Sequence, residues 1–303
     1  MPQQQDARLA LIHEWLTRDL ARRVTRIEVA SADASFRRYF RVFAEEATLI
    51  VMDAPPGKED VRPYLHVSRL LEDCEVHVPH VHASDAARGL VLLEDLGSTP
   101  YLVPLSAGRE VERLYGDALA ALADIQVRGL ERARELAPYD GAALEREMQL
   151  MPEWFCATHL RLALSASEQA LLRATFDYLI AQALAQPVVF VHRDYHSRNL
   201  MCTAQRNPGV IDFQDALAGP IGYDLASLLK DCYIAWPRER VEQWVSCYHG
   251  LLLRRGFALE ADAQRFLRWF DLIGVQRHIK VLGIFARLFH RDGKSGYLAD
   301  LPR

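Results

Sequence analysis

The sequence has no tandem repeat, no low-complexity block and no Gly/Ser-rich linker, so it is neither a solenoid nor a string of tethered modules. Apolar runs such as Val188 to Val191 fall far short of the roughly 20 residues that cross a bilayer. The opening Met-Pro-Gln-Gln-Gln-Asp lacks the basic flank and apolar stretch of a secretory leader, so a cytoplasmic address without membrane attachment is expected. Cysteine is scarce: Cys74, Cys156, Cys202, Cys232 and Cys247 are odd in number and form no C-x-x-C pair, which reads as reduced, buried thiols. An excess of positive charge is missing too. With 36 Lys plus Arg against 40 Asp plus Glu the net charge is −4, so no nucleic-acid partner is expected and an anionic substrate must be met by local groups; no obligatory protein partner is expected either.

What is present is core-forming material: half of the 303 residues are apolar, enough for two lobes around a shared cleft. Leu9, Ile12, Trp15 and Leu16 recur at helical spacing. Val24 to Ala30, Tyr39 to Phe43, Thr48 to Met52, Val78 to Ala83 and Gly89 to Leu93 read as short strands, with a helical stripe from Val61 to Leu71 inserted among them. Glu94-Asp95-Leu96-Gly97 then makes a natural crossover. Beyond it the periods are helical over 108–128, 141–156, 167–184, 224–235, 238–255 and 261–290. The division expected is an N-terminal lobe, residues 1–95, built on a small antiparallel sheet, and a larger, mainly helical lobe, residues 96–303. One island interrupts the helices, where Val188 to Val191 and Val210 to Phe213 read as a hairpin carrying a polar loop.

That loop is His192-Arg193-Asp194-Tyr195-His196-Ser197-Arg198-Asn199, and the second run contains Asp212-Phe213. Phosphoryl transfer from ATP needs a group that orients the attacking hydroxyl and oxygen ligands for Mg2+ on the phosphates. Asp194, Asn199 and Asp212 meet those needs in type and order, and H-x-D-x-x-x-x-N followed by a strand and I-D-F is the pattern of a protein-kinase-like fold. His192 and His196 could suggest zinc, but further ligands at zinc spacing are missing.

With these motifs in place, the sequence resembles the aminoglycoside phosphotransferase and choline kinase-like family over nearly its whole length. The segment from Gly219 to Leu229 looks like that family's helix after the metal loop, where Asp224 would cap the helix and brace the catalytic loop beside His192. More narrowly, Val51 to Pro56, Glu147 with Met151 to Phe155, and Gln276 to Lys280 are similar to bacterial cell-wall-recycling kinases that act on the anomeric hydroxyl of N-acetylmuramate and N-acetylglucosamine. The resemblance implies a bilobal α+β fold, ATP and Mg2+ as cofactors, an amino-sugar acceptor and a nucleotide site. That site would take in Ser31, Ser35, Arg37 and Arg41, with Glu94 and Leu96 at the hinge.

The sequence departs from the pattern at two points. The phosphate-covering loop, Ser31 to Phe40, contains no glycine, and Met52 stands about where the third strand of this fold normally supplies a Lys. Arg37, Arg38, Arg41 or Lys58 must then answer the phosphates. Glu147, Trp154, Arg277, His278 and Lys280 are the expected acceptor contacts. Competing readings stand beside these: Glu94 to Leu96 as an ordinary loop, Trp154 as core, and Arg277, His278 and Lys280 as the polar face of a long helix. Another acceptor (an aminoglycoside, choline or homoserine) or a nucleotide-binding pseudokinase are the alternatives of function.

Overall fold

A computed structural model describes residues 2–32, 36–45 and 47–302. The chain opens with α1 (Pro2–Glu14) and the π-helical turn Trp15–Asp19, followed by β1 (Val24–Ala32), β2 (Arg38–Ala44) and β3 (Thr48–Asp53). Then come α2 (Arg62–Asp73), β4 (Val81–Asp85) and β5 (Leu90–Glu94). The five strands form one antiparallel sheet in the order β1-β2-β3-β5-β4. Alternation along β3 sorts its two faces. Leu49 and Val51 pack with Ile12, Trp15 and Leu16 beneath α1, whereas Ile50 and Met52 face α2 and the larger core.

After β5 the chain turns at Gly97, whose φ of 88° lies in the left-handed region that glycine enters without steric cost. The helical part comprises α3 (Leu102–Ser106), α4 (Val111–Arg128), α5 (Gly141–Leu150) and α6 (Ala166–Leu184), then α7 (Gly222–Leu229), α8 (Arg238–Arg254) and the long α9 (Ala263–Asp292). A π-helical segment, Met151–His159, continues α5 and packs along α9. Ser165 caps α6 in a reciprocal capping box with Glu168, and Asp262 caps α9 through the Arg265 amide. One buried cluster runs from Met52 and Leu93 through Tyr195 and Phe213 to Phe270, so the sheet and the helices share a core.

The expected hairpin is not the one that forms. β6 (Val188–Val191) pairs with β9 (Leu217–Pro220), while β7 (Leu200–Met201) and β8 (Gly209–Val210) make a separate two-residue ribbon. Ile211 to Phe213 leave the strand, because Asp212 adopts a φ of 64°, which an extended ladder does not accommodate. The helix expected over 224–235 spans Gly222–Leu229, and Asp224 is not its cap: Ile221 occupies that position without a side-chain bond.

Candidate functional site

The loop between β6 and β7 is held from beneath by α7. The Asp224 carboxylate accepts the backbone N–H of His192 at 2.7 Å and of Arg193 at 2.9 Å. Asp224 is fully buried, and burial pushes its pKa up to about 7 against those two bonds. His192 braces the loop from the other side. Its Nε2 donates to the Ile211 carbonyl at 3.1 Å, and its Nδ1 accepts the Asp194 amide at 3.2 Å. Burial pulls this imidazole down to about 4, so it is neutral with its proton on Nε2, the tautomer both bonds require. Arg193 at φ 79° and Asp212 at φ 64° are non-glycine residues in the left-handed region, a strain the surrounding bonds sustain.

These braces bring Asp194, Asn199 and Asp212 together. The Asn199 amide Nδ2 donates to the Asp194 carbonyl at 3.0 Å and to Asp212 Oδ2 at 3.2 Å, while Gln214 Nε2 donates to Asp212 Oδ1 at 2.9 Å. Phe213 packs on Tyr64 of α2 with ring centroids 4.8 Å apart, tying the Asp212 loop to the inserted helix. Burial alone would raise the Asp194 pKa, but Lys280, His196 and Arg277 outweigh it and hold the carboxyl below the usual carboxylate range. Asn199 and Asp212 fit a magnesium ion chemically: they are hard oxygen donors, few in number, leaving coordination positions for water and phosphate oxygens.

Beside Asp194 lies a buried charge cluster. Glu147, at the end of α5, takes Arg193 Nη2 at 2.6 Å, Lys280 Nζ at 2.9 Å and the Tyr139 hydroxyl. Lys280 also donates to the Tyr223 hydroxyl at 3.0 Å, and Arg277 donates to the Arg193 carbonyl at 2.9 Å with its guanidinium over the Tyr223 ring. Burial opposes charge on Lys280, but the Tyr223 hydroxyl, Glu147 and Asp194 keep its pKa raised. Of the expected acceptor contacts, Glu147, Arg277 and Lys280 therefore gather around the β6–β7 loop. His278 does not: it is exposed and bonds the Lys230 carbonyl at 3.1 Å. Trp154 is half-buried on the π-helical segment.

A cleft of about 390 Å³ runs from the sheet across the crossover to Asn199 and Asp212. Ser31, Arg41, Glu94 and Leu96 line it, and Ser35 lies outside the described residues. Arg41 forms a two-pronged pair with Asp95, at 2.7 and 2.9 Å, and donates to the Gly97 carbonyl at 2.8 Å, so it fastens the crossover to the sheet. Arg38 joins Arg8 on the buried Asp53 carboxylate. Lys58 sits over the Phe36 ring at 4.4 Å. Arg37 is the member of the group that reaches Asp212, with Nη2 3.8 Å from its Oδ1. Met52 is wholly buried.

Sequence reasoning missed Asp95, Asp53, Gln214 and Asp231. Asp231 bonds the backbone of Ser197 at 3.0 Å and of Tyr233 at 2.9 Å. Asp53, Asp95 and Asp231 act through partners distant in sequence, which spacing does not reveal, whereas Gln214 bonds Asp212 two residues away.

The family model described as the phosphotransferase enzyme family matches residues 26–273. The chain is 48% identical over 274 residues to the N-acetylmuramate/N-acetylglucosamine kinase of Pseudomonas aeruginosa, covering 90% of this chain and 80% of that protein. It is 43% identical over 296 residues to the kinase of the same name from Neisseria meningitidis, covering 96% and 87%. Among solved structures, ADP-bound aminoglycoside phosphotransferase APH(2'')-Ib superposes with a TM-score of 0.64 at 15% identity, covering 97% of this chain and 95% of that one. A Plasmodium vivax ethanolamine kinase does so at 0.63 and 14%, covering 91% and 80%. The chain belongs to the phosphotransferase enzyme family, and the bilobal kinase-like fold expected of it is the fold it has. It is a kinase. No helix among the described residues is long and apolar enough to cross a membrane.

Proposed function

We propose that this kinase transfers the γ-phosphoryl group of ATP to the anomeric C1 hydroxyl of N-acetylmuramate and N-acetylglucosamine, a step of peptidoglycan recycling. Residues 1–95 would hold the nucleotide and 96–303 the acceptor. The observation that carries the reading is the Asn199 amide, which joins the Asp194 backbone and the Asp212 carboxylate at 3.0 and 3.2 Å. Relatives of this similarity carry the sugar-kinase name over nearly the same span.

In this reading Asp194 orients the sugar hydroxyl and accepts its proton as the oxygen bonds to the γ-phosphorus and the bond to ADP breaks. A carboxylate held below its usual pKa is a weak base, so the proton moves late, when the loose transition state has made the oxygen acidic. The anomeric hydroxyl, more acidic than other sugar hydroxyls, eases that step. Mg2+, when bound by Asn199 and Asp212, would neutralise charge on the phosphate oxygens. Arg37, near Asp212, is the proposed cation in place of a β3 Lys, and Leu96 with Glu94 would border the adenine. A coupled ADP-release assay across amino sugars, choline, homoserine and aminoglycosides tests the reading. Turnover is expected with the two N-acetyl sugars and should fall by about 10² or more in Asp194→Asn, whose fold and ATP affinity stay intact. Turnover with another acceptor class alone overturns the substrate assignment.

A further inference from the structure

The third strand brings no cation to the cleft: Met52 is wholly buried and belongs to the core cluster that also holds Tyr64 of α2. Tyr64 is 4% exposed, yet it lines the cleft together with Asn199 and Asp212. Its ring is fixed in place. Val67, Leu70 and Leu71 bury the same helix in the core, and Phe213, the residue after Asp212, lies with its ring centroid 4.8 Å away and its plane tilted by 33°. The other buried tyrosines engage their hydroxyls inside the fold: Tyr101 with Asn207, Tyr115 with Trp236, Tyr139 with Glu147, Tyr195 with the Ala118 carbonyl, Tyr223 with Lys280 and Tyr248 with Gln126. The Tyr64 hydroxyl bonds none of the described residues.

A phenol hydroxyl taken out of water without a partner costs stability, and a phenylalanine would pack on Phe213 as well, so packing alone does not account for the oxygen. Tyr39, Arg37, Asp212 and Glu72 are the titratable groups that act on it, which sets it on the side of the cleft where Arg37 comes within 3.8 Å of Asp212. Burial holds its pKa well above the ordinary phenol range, so the hydroxyl keeps its proton and is a donor. A donor without an acceptor of its own, close to the carboxylate proposed for Mg2+, fits an anionic oxygen. We propose that Tyr64 is a phosphate-binding residue whose hydroxyl donates to a β- or γ-phosphate oxygen of the nucleotide, with Arg37 supplying the charge that Met52 does not. The inference rests on the reading of this cleft as the nucleotide site and deepens it.

Calorimetry of the full chain with Mg2+ and ATP, ADP or adenosine tests this on Tyr64→Phe, which removes the oxygen and keeps the ring on Phe213. The Tm should stay at the wild-type value. Affinity for ATP should fall about tenfold or more, the scale of a hydrogen bond to a charged group, while adenosine, which has no phosphate, binds as it does to the wild type. A loss shared by ADP assigns the β-phosphate, and a loss confined to ATP assigns the γ-phosphate. Unchanged ATP affinity, or equal losses for ATP and adenosine, overturn the inference and leave the cleft reading standing. Ala30→Trp checks that reading separately: Ala30 is an exposed β1 residue lining the cleft, and the larger side chain should weaken ATP and adenosine together. If it weakens neither, the nucleotide lies elsewhere and both readings fail.

Discussion

Two buried groups at the β6–β7 loop are displaced from their ordinary pKa values in opposite senses and leave opposite marks on stability. His192 titrates at about 4 in the fold, against about 6.5 in the unfolded chain. Between those values the unfolded chain binds a proton that the native imidazole refuses, so this contribution to stability is whole above 6.5 and is lost as pH falls toward 4. Asp224 runs the other way. Its carboxyl keeps a proton up to about 7, while the unfolded chain releases it near 3.9, so its contribution is whole below 3.9 and declines as pH rises toward 7. Urea midpoints from pH 4 to 8 should show His192→Gln removing the first slope and Asp224→Asn the second. Variants whose difference from wild type is independent of pH would contradict these assignments.

At the scale of elements, the sheet and the β6–β7 loop depend on contacts between segments distant in sequence. Arg41 of β2 meets Asp95 across 54 residues and grips the crossover. Arg41→Ala and Asp95→Ala should each raise the ATP KM about three- to tenfold, and the double variant should be no worse than either alone, the mark of a shared interaction. Additive effects would dissolve the pair. Gly283 of α9 lies against the end of α5, where an added Cβ would fall 2.3 Å from the Leu150 carbonyl carbon. Gly283→Ala should force apart the helices that join Glu147 to Lys280 and cost about 1–3 kcal/mol, read as a lower Tm. An unchanged Tm would mean that the two helices yield without strain. Periodicity made the five strands, the inserted helix and α9 legible in the sequence, and loop spacing did the same for Asp194, Asn199 and Asp212. It could not reveal that β6 pairs with β9, since two short apolar runs flanking a loop look the same whichever partner each takes. Nor could it separate Arg277 and Lys280, which face the loop, from His278, which one step of helical rotation turns toward solvent. Arg37, Arg38 and Arg41 look equivalent in a strand-edge sequence, and only folding gives them Asp212, Asp53 and Asp95 as separate partners.

Across the whole molecule, a sheet and a helical body share one core and meet in a cleft that ends at Asn199 and Asp212. In the proposed reading a nucleotide would lie between the two parts and an acceptor over the helical one, with catalysis resting on positioning and charge. The central claim, phosphorylation at the anomeric oxygen, is tested most directly by phosphorus NMR of the product formed from ATP with N-acetylglucosamine and with its 1-O-methyl glycoside. The account predicts a C1 phosphate ester from the free sugar and no product from the glycoside, which lacks the reacting hydroxyl. A phosphorylated methyl glycoside would contradict it.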